Sequence, residues 1–426
     1  MGKVGADGNP PENKLWYKTQ SARDFAQKEN TLKIKLAVLF GGKSVEHEIS
    51  VISAVQAMES VSPDKYDVIP VYITKKNEFY YGAALRDITA YKNMAELTRK
   101  CQRVTFVAEG GKTYLVRYPF RLFNRKPVSL IDVAFPVVHG TNVEDGALQG
   151  YLKTLNLPFV GCDVLASAVG MDKYVTKILL RQAGFPVLDC LRFTMSDYAQ
   201  PQTVIAETEK KFPYPVIVKP VNLGSSIGIA RAGNAGQLDD ALSTAFTYAN
   251  KVIIEPVVVR LKEVNCAVLG DGDDAQPSEC EEPRPSGEIL SYDDKYMSGA
   301  KGKGSKGMAG LERKIPAAVS PEMREKIQRI AVAAFKHLDC NGVARIDFMI
   351  DEAAGDVWLN EINTIPGSLA YYLWEHSGIS YAGLIDKLVA LALKRQRKEE
   401  SITYSFATNI LSLGDGLLGG KGTKKR

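Results

Sequence analysis

The sequence predicts an α/β fold, and three observations carry that expectation. An apolar run at 34–40 breaks at Gly41-Gly42, and residues 45–61 then place apolar positions at helical spacing. Two further apolar runs, 66–73 and 131–138, read as core strands. Strand, glycine turn, helix and strand in that order build a parallel α/β unit. With 426 residues there is room for two to three domains. Hydrophobic residues at 45% and charged residues at 24% exclude global disorder.

Residues 1–33 are polar, contain Pro10-Pro11, lack an apolar period and read as a mobile arm. Between the second and third core strands, 78–82, 103–107 and 113–117 read as short strands with a turn at Gly110-Gly111. Residues 148–155 read as helix, and 171–184 as an amphipathic helix ended by Gly184 and Pro186. A strand at 214–220 leads into a Gly/Ser loop, 222–228, then a helix at 237–249 and strands at 252–258 and 264–270. Residues 271–287 are acidic and Pro-rich and read as an exposed loop. Residues 292–312 are Gly/Lys-rich and long for a turn, which suits a functional lid. Ser320 and Pro321 open a helix over 320–338. Strands at 342–350 and 356–362 and a helix near 380–396 follow, before a flexible tail at 397–426 whose last residues, 414–426, are low-complexity.

The formal charge of +5 lies in the ends: 1–33 carry +2, 397–426 carry +3, and the body sums to zero. A function needing a basic body, nucleic-acid binding above all, is disfavoured. No apolar run approaches the ~20 residues of a membrane span. The first residues lack a signal peptide's apolar segment, and Ala6 stands where a myristoylation start needs Ser or Thr. Six scattered cysteines without a CxxC pair, and only four histidines, suit a cytoplasmic protein with reduced thiols. Small molecules, not nucleic acid or membrane, are the expected partners.

The sharpest chemistry lies in Arg345-Ile-Asp347, a turn at 351–355, and Glu361-Ile-Asn363. Alternation puts Arg345 and Asp347 on one face, and Glu361 and Asn363 on one face of the next strand. Paired, they would converge as hard oxygen ligands fit for Mg2+; a solvated hairpin face with an Arg–Asp pair is the plain alternative. Lys219 precedes a loop with Gly224, Ser225, Ser226 and Gly228 whose N–H groups could wrap a phosphate; a flexible turn is the alternative. Lys173 at a helix start and Lys295 between acids could be surface charges. Glu46 could cap a helix, His139 could be a satisfied core histidine, and Glu144 a dipole partner.

Together, GGKSVEHEIS (41–50), HGTNVEDGALQG (139–150), MDK (171–173), VIVKPVNLGSSIGI (216–229), YDDKY (292–296), RID (345–347) and NEINTIPGS (360–368) are similar, in order and spacing, to D-alanine–D-alanine ligases of the ATP-grasp superfamily. The resemblance covers about 34–396. It implies α/β and α+β parts: an N-terminal α/β substrate domain (34–156), a central ATP-grasp lobe (157–252) and a C-terminal lobe with metal site and lid (253–396). It implies ATP as co-substrate, D-alanine as substrate, two Mg2+ ions for which Mn2+ could substitute, and a family that is commonly dimeric. By the family pattern Asp347, Glu361 and Asn363 hold the metals. Lys173, Lys219, Ser226 and Lys295 meet the nucleotide, with Glu255 at the adenine and Glu263 at the ribose. Arg345 and the Gly367 N–H face the tetrahedral oxyanion. Glu46 takes the first ammonium, His139 lies near its carboxylate, and Ser225 and Tyr296 bond with Glu46.

Three departures stand out. Val143 replaces the family's glycine before Glu144-Asp145. Glu255 and Glu263 are one residue further apart than in many members. Tyr372 and Leu373 fall where many members hold the second substrate, and Ser368 could serve instead. Neutral Tyr296, where D-lactate-using relatives tend to carry His, implies an amine nucleophile. D-Ser or another small amino acid as second substrate, a non-catalytic nucleotide binder and a nucleic-acid binder remain as rival readings.

Overall fold

Three sheets organise the chain in this computed structural model, which describes residues 33–120, 126–224, 226–283 and 313–405. The expected arm at 1–33, as far as residue 32, the expected lid at 292–312 with Lys295 and Tyr296, and the tail beyond 405 lie outside the described residues.

The first sheet holds β1 (Ile34–Gly41), β2 (Tyr66–Ile73), β3 (Phe79–Tyr81), β4 (Gln102–Glu109), β5 (Lys112–Arg117), β6 (Ser129–Ile131) and β7 (Val133–Pro136), in the order β6-β5-β4-β3-β2-β1-β7. Only β2, β1 and β7 run parallel. The remaining pairings are antiparallel, so the expected parallel domain is a mixed one. The run 131–138 is not one strand either. Asp132 interrupts it, donating its N–H to the Lys35 carbonyl at 3.0 Å and accepting the Lys35 N–H on its carboxylate at 2.8 Å. Helix α1 (His47–Ser60) turns Val51, Ala54, Val55 and Met58 into the core shared with Leu36, Val38 and Phe40, the i, i+3, i+4, i+7 stripe of an amphipathic helix. The short α2 (Met94–Lys100) and α3 (Ala147–Thr154) complete this part.

Helices α4 (Val164–Met171) and α5 (Lys173–Gln182) meet at Asp172. Its carboxylate accepts from Tyr174 and Val175 N–H and caps α5, so the predicted helix starts two residues late and Met171 belongs to its predecessor. The second sheet, β8 (Leu191–Thr194), β9 (Val216–Pro220), β10 (Ala230–Ala232) and β11 (Lys251–Pro256), is antiparallel in the order β10-β9-β11-β8. Helices α6 (Pro201–Lys211) and α7 (Ala235–Tyr248) bury Val204, Leu238 and Leu242 with Val216, Val218 and Ile254.

The third sheet, β12 (Leu261–Gly270), β13 (Ala275–Pro283), β14 (Arg313–Lys314), β15 (Gly342–Asp351) and β16 (Asp356–Asn363), is antiparallel in the order β14-β13-β12-β15-β16. Helix α8 (Pro321–His337) packs Ile327, Ala331 and Phe335 on Cys266, Ala344 and Ile346. β13 corrects the expected loop over 271–287. Its acids are paired: Glu281 with Arg313 at 3.0 Å and Glu279 with Arg324 at 3.4 Å, while Glu282 accepts the Ala318 N–H at 3.0 Å. Ser278 and Cys280 face inward. Helix α9 (Tyr371–His376) and α10 (Tyr381–Glu400) close the described chain. α10 runs past the expected end at 396; Lys398 pairs with Asp273 and Glu399 with Lys153, tying its last turn to the body.

Candidate active site

The hairpin of β15 and β16 sets the centre. Asp347 pairs with Glu361 and Arg345 with Asn363 across the strands, so all four share a face as alternation requires. The Arg345 fork donates to both Asp347 oxygens at 2.7 Å, and Asn363 Nδ2 donates to Asp347 Oδ2 at 3.0 Å. The Arg–Asp pair of the plain alternative is present, but Arg345 is 8% exposed and the face is not a solvated one. A bulge follows at once: Asp347 pairs with Glu361 but Phe348 with Leu359. Asn360 is the extra residue, and its side-chain oxygen accepts from Lys219 Nζ at 3.1 Å. A bulge beside a site re-aims a side chain in this way.

Three lysines converge above the acids. Lys173 Nζ donates to the Leu223 carbonyl at 2.7 Å and pairs with Glu361 at 3.0 Å. Lys219, at the end of β9, pairs with Glu255 at 2.7 Å. Lys177 takes the other Glu255 oxygen at 2.7 Å, both side chains being 1% exposed. Burial alone would raise the Glu255 carboxyl; the Lys177 and Lys219 charges outweigh it and hold it at about 2. Burial likewise opposes the Lys219 charge, and Glu255 overcomes it, so this lysine sits above its ordinary range. Lys173 is therefore no surface lysine. Sequence reasoning missed Lys177, whose only signal is its position one turn after Lys173 on the inward face of α5.

Two connected hollows flank this centre. The wider, about 1820 Å³, opens between the second and third sheets and is lined by Lys173, Lys219, Ser226, Glu255, Glu263 and Asp347 among others. Its far wall is apolar, with Ile217, Ile229, Val257 and Met349. The narrower recess, about 680 Å³, is lined by Glu46, His139, Glu144, Arg345, Asn363 and Gly367. A wide half-apolar cleft with cations at one end fits a purine nucleotide; a small polar recess fits an amino acid.

Within the recess Glu46 stands at the N-terminus of α1 without making a side-chain cap. Its carboxylate lies against Gly224 and Gly140: a Cβ on either would come within 2.7 and 3.0 Å of Oε2. His139 Nδ1 lies 3.0 Å from the Ile365 carbonyl and Nε2 3.0 Å from Ser53 Oγ. A carbonyl only accepts, so Nδ1 carries the proton and Nε2 accepts the serine hydroxyl. Burial lowers its pKa and keeps it neutral. Glu144 accepts the Gly140 N–H at 2.9 Å on one oxygen and the Ile365 N–H at 2.9 Å on the other. Burial first, and Glu46 nearby, push its carboxyl up to about 7. Val143 does not disturb this arrangement. Its side chain fills the space over Gly42, where a Cβ would meet it at 2.5 Å, and Asn142 adopts the left-handed turn with φ 68°.

Two expected second-substrate residues turn elsewhere. Ser368 is fully buried; its N–H donates to Ser53 Oγ at 3.0 Å and its hydroxyl to Gln56 at 2.8 Å, on α1. It is held away from the recess by a left-handed run over Ser368, Leu369 and Ala370, φ 50°, 55° and 50°. Tyr372 donates its hydroxyl to Glu281 at 3.1 Å and lies under Arg313. Ser225, Lys295 and Tyr296 lie outside the described residues.

Asp347, Glu361 and Asn363 offer two carboxylates and an amide. No group of three or more His, Cys, Asp or Glu side chains stands at metal-binding spacing among the described residues. Such a sparse oxygen set suits a Mg2+ that keeps waters and substrate phosphates in its shell.

The profile described as D-ala D-ala ligase N-terminus matches residues 35–162, and that described as D-ala D-ala ligase C-terminus matches 179–390. A D-alanine--D-alanine ligase of Acetivibrio thermocellus is 41% identical over 376 residues, 85% of this chain and 96% of the relative. D-alanine--D-alanine ligase A of Escherichia coli K12 is 36% identical over 377 residues, 87% and 98%. The D-alanine-D-alanine ligase structure from Coxiella burnetii superposes with TM-score 0.72 at 29% identity, covering 87% and 96%. VanG D-Ala:D-Ser ligase from Enterococcus faecalis gives 0.69 at 31%, covering 84% and 99%.

Proposed function

The chain belongs to the D-alanine–D-alanine ligase family, and from that premise we propose how its residues divide the work. It is an ATP-grasp ligase that forms D-alanyl-D-alanine for peptidoglycan precursors. A carboxylate oxygen of the first D-alanine attacks the γ-phosphorus of ATP, and the bond to the β-phosphate oxygen breaks with release of ADP. The uncharged amine of the second D-alanine attacks the acyl carbon of the resulting acyl phosphate. The tetrahedral adduct then expels phosphate and leaves the dipeptide.

Two anions must meet in the first step, and the observation that carries the reading is how the site is charged for it. Lys173 and Lys219 stand at the phosphate end of the cleft, with Ser226 in the loop beside them. Glu255, paired to Lys177, fixes Lys219 and serves the adenine side, and Glu263 serves the ribose hydroxyls. When bound at Asp347, Glu361 and Asn363, a divalent cation, two Mg2+ in all, supplies charge neutralisation to the transferring phosphate. Glu46 binds the first ammonium, and His139, neutral, orients the loop at its carboxylate. Arg345 and the Gly367 N–H stabilise the oxyanion.

This reading divides the chain into the substrate domain 34–156 and ATP-grasp lobes 157–252 and 253–396, places it in the cytoplasm, and makes the dimer common in the family the assembly to test for. No described helix is long and apolar enough to cross a membrane. Similarity to a D-Ala:D-Ser ligase supports D-Ser as second substrate in an alternative reading. ADP release over a panel of D-amino acids, with products identified by mass, decides. D-Ala alone is expected to suffice. A requirement for D-Ser would transfer the reading to the mixed dipeptide, and no amino-acid-dependent ADP release would end it.

A further inference from the structure

A polar row continues from the centre across the third sheet. Glu361 pairs with Asp347, Asp347 with Asn265, and Asn265 with Glu281. Directly opposed residues share a face, so these four point the same way. The row ends in a buried cluster. Glu281 Oε1 accepts from Asn265 Nδ2 at 3.0 Å and from the Tyr372 hydroxyl at 3.1 Å. Its Oε2 accepts from Arg313 Nη1 at 3.0 Å. The Arg313 guanidinium lies 3.7 Å from the Tyr372 ring centroid. The Arg313 side chain is 10% exposed and that of Glu281 3%. Pro283, which pairs with Arg313 across the strands, and Asn265, which shares Glu281 with it, both line the wide cleft.

We propose that Arg313, seated over the Tyr372 ring and its charge anchored by Glu281, binds the α-carboxylate of the second amino acid. The inference rests on the ligase reading above and deepens it. The attacking amine must stand beside Arg345, where the acyl phosphate forms, and its carboxylate is only two bonds away through Cα. Along the row, past Asn265 and Glu281, Arg313 is the next cation among the described residues. A buried Arg–Glu–Tyr cluster gives little net stability for the desolvation it requires. A guanidinium held over a ring and fixed by a buried carboxylate is pre-organised to receive a second carboxylate. Tyr372 stays neutral because burial, followed by Glu281, pushes its hydroxyl up to about 12. It therefore adds no negative charge to the pocket.

The test compares acceptors with and without a carboxylate in Arg313→Met. Initial rates against D-alanine resolve two KM values; the second should rise on the order of 10- to 100-fold, while the first, and that for ATP, stay within about twofold. Acyl phosphate trapped with hydroxylamine should persist at the wild-type rate. With D-alaninamide as acceptor, wild type and variant should form the dipeptide amide equally, because the group Arg313 recognises is gone. Equal losses with both acceptors, or an unchanged second KM, would overturn the assignment. If Arg313→Met does not fold, the same comparison is read in Arg313→Lys, which keeps the charge without the fork. A loss there confined to the carboxylate acceptor upholds the assignment, and an equal loss or none refutes it. Failure of the ligase reading looks different: wild type would yield neither trapped acyl phosphate nor either dipeptide.

Discussion

Glu255 and Glu144 are both buried, and the fold drives them in opposite directions. Glu255 lies between Lys177 and Lys219 on the nucleotide side and is held at about 2. Glu144 lies on the amino-acid side, receives only N–H and hydroxyl donors, has Glu46 for a neighbour and rises to about 7. Burial alone would raise both; the difference is two lysines. The body sums to zero charge, yet it is sorted inside, with cations gathered where phosphates belong and carboxylates where an ammonium belongs.

The largest effect should come from removing the acid that joins the two sides. Glu361→Gln takes a carboxylate from the proposed metal set and the partner from Lys173. Turnover should fall on the order of a thousandfold with the fold intact by circular dichroism; near-normal turnover would dismiss the metal assignment. Lys177→Met should next undo the nucleotide-side sorting. Breaking a fully buried pair costs about 3–5 kcal/mol, read as a lowered denaturation midpoint together with a raised KM for ATP. Adding Glu255→Gln should recover part of that loss; simple additivity would show that Lys177 does not act through Glu255.

Acid and base separate the two glutamates further. Glu144 is raised above its unfolded value, so its contribution is complete below about 4.5 and lost as pH rises through about 7, some 3 kcal/mol in all. Glu255 is lowered, so its contribution is present above about 4.5 and fades as pH falls toward 2. Denaturation midpoints measured in Glu144→Gln should lack the first slope and retain the second. The smallest effect is Gly224→Ala, whose methyl would stand 2.7 Å from Glu46 Oε2. By displacing one carboxylate it should raise the KM for the first D-alanine roughly tenfold, more than it raises that for ATP.

How much of this was legible depended on which physical signal each residue carries. Arg345, Asp347, Glu361 and Asn363 were readable because a strand's period of two is written directly in the sequence. The three sheets were only partly so. The antiparallel half of the first sheet carries half-buried tyrosines and short strands without a strong period. β13 hid behind its acids, since nothing local announces that Arg313, Arg324 and the Ala318 N–H will meet them. Lys177 looked like any helix lysine until α5 turned it inward. Ser368 was a plausible ligand by position, and only the left-handed run after Gly367 sends its hydroxyl to α1 instead.

The bulge at Asn360 acts like a shift of reading frame. Before it, Val357 and Leu359 fall on the oily side of β16; after it, Glu361 and Asn363 fall on the working side. Leu359 and Glu361 are two apart, and an unbroken strand would print them on the same page. One surplus residue lets a single strand be core in its first half and chemistry in its second. Deleting Asn360 would leave every ligand in the sequence and misspell the site.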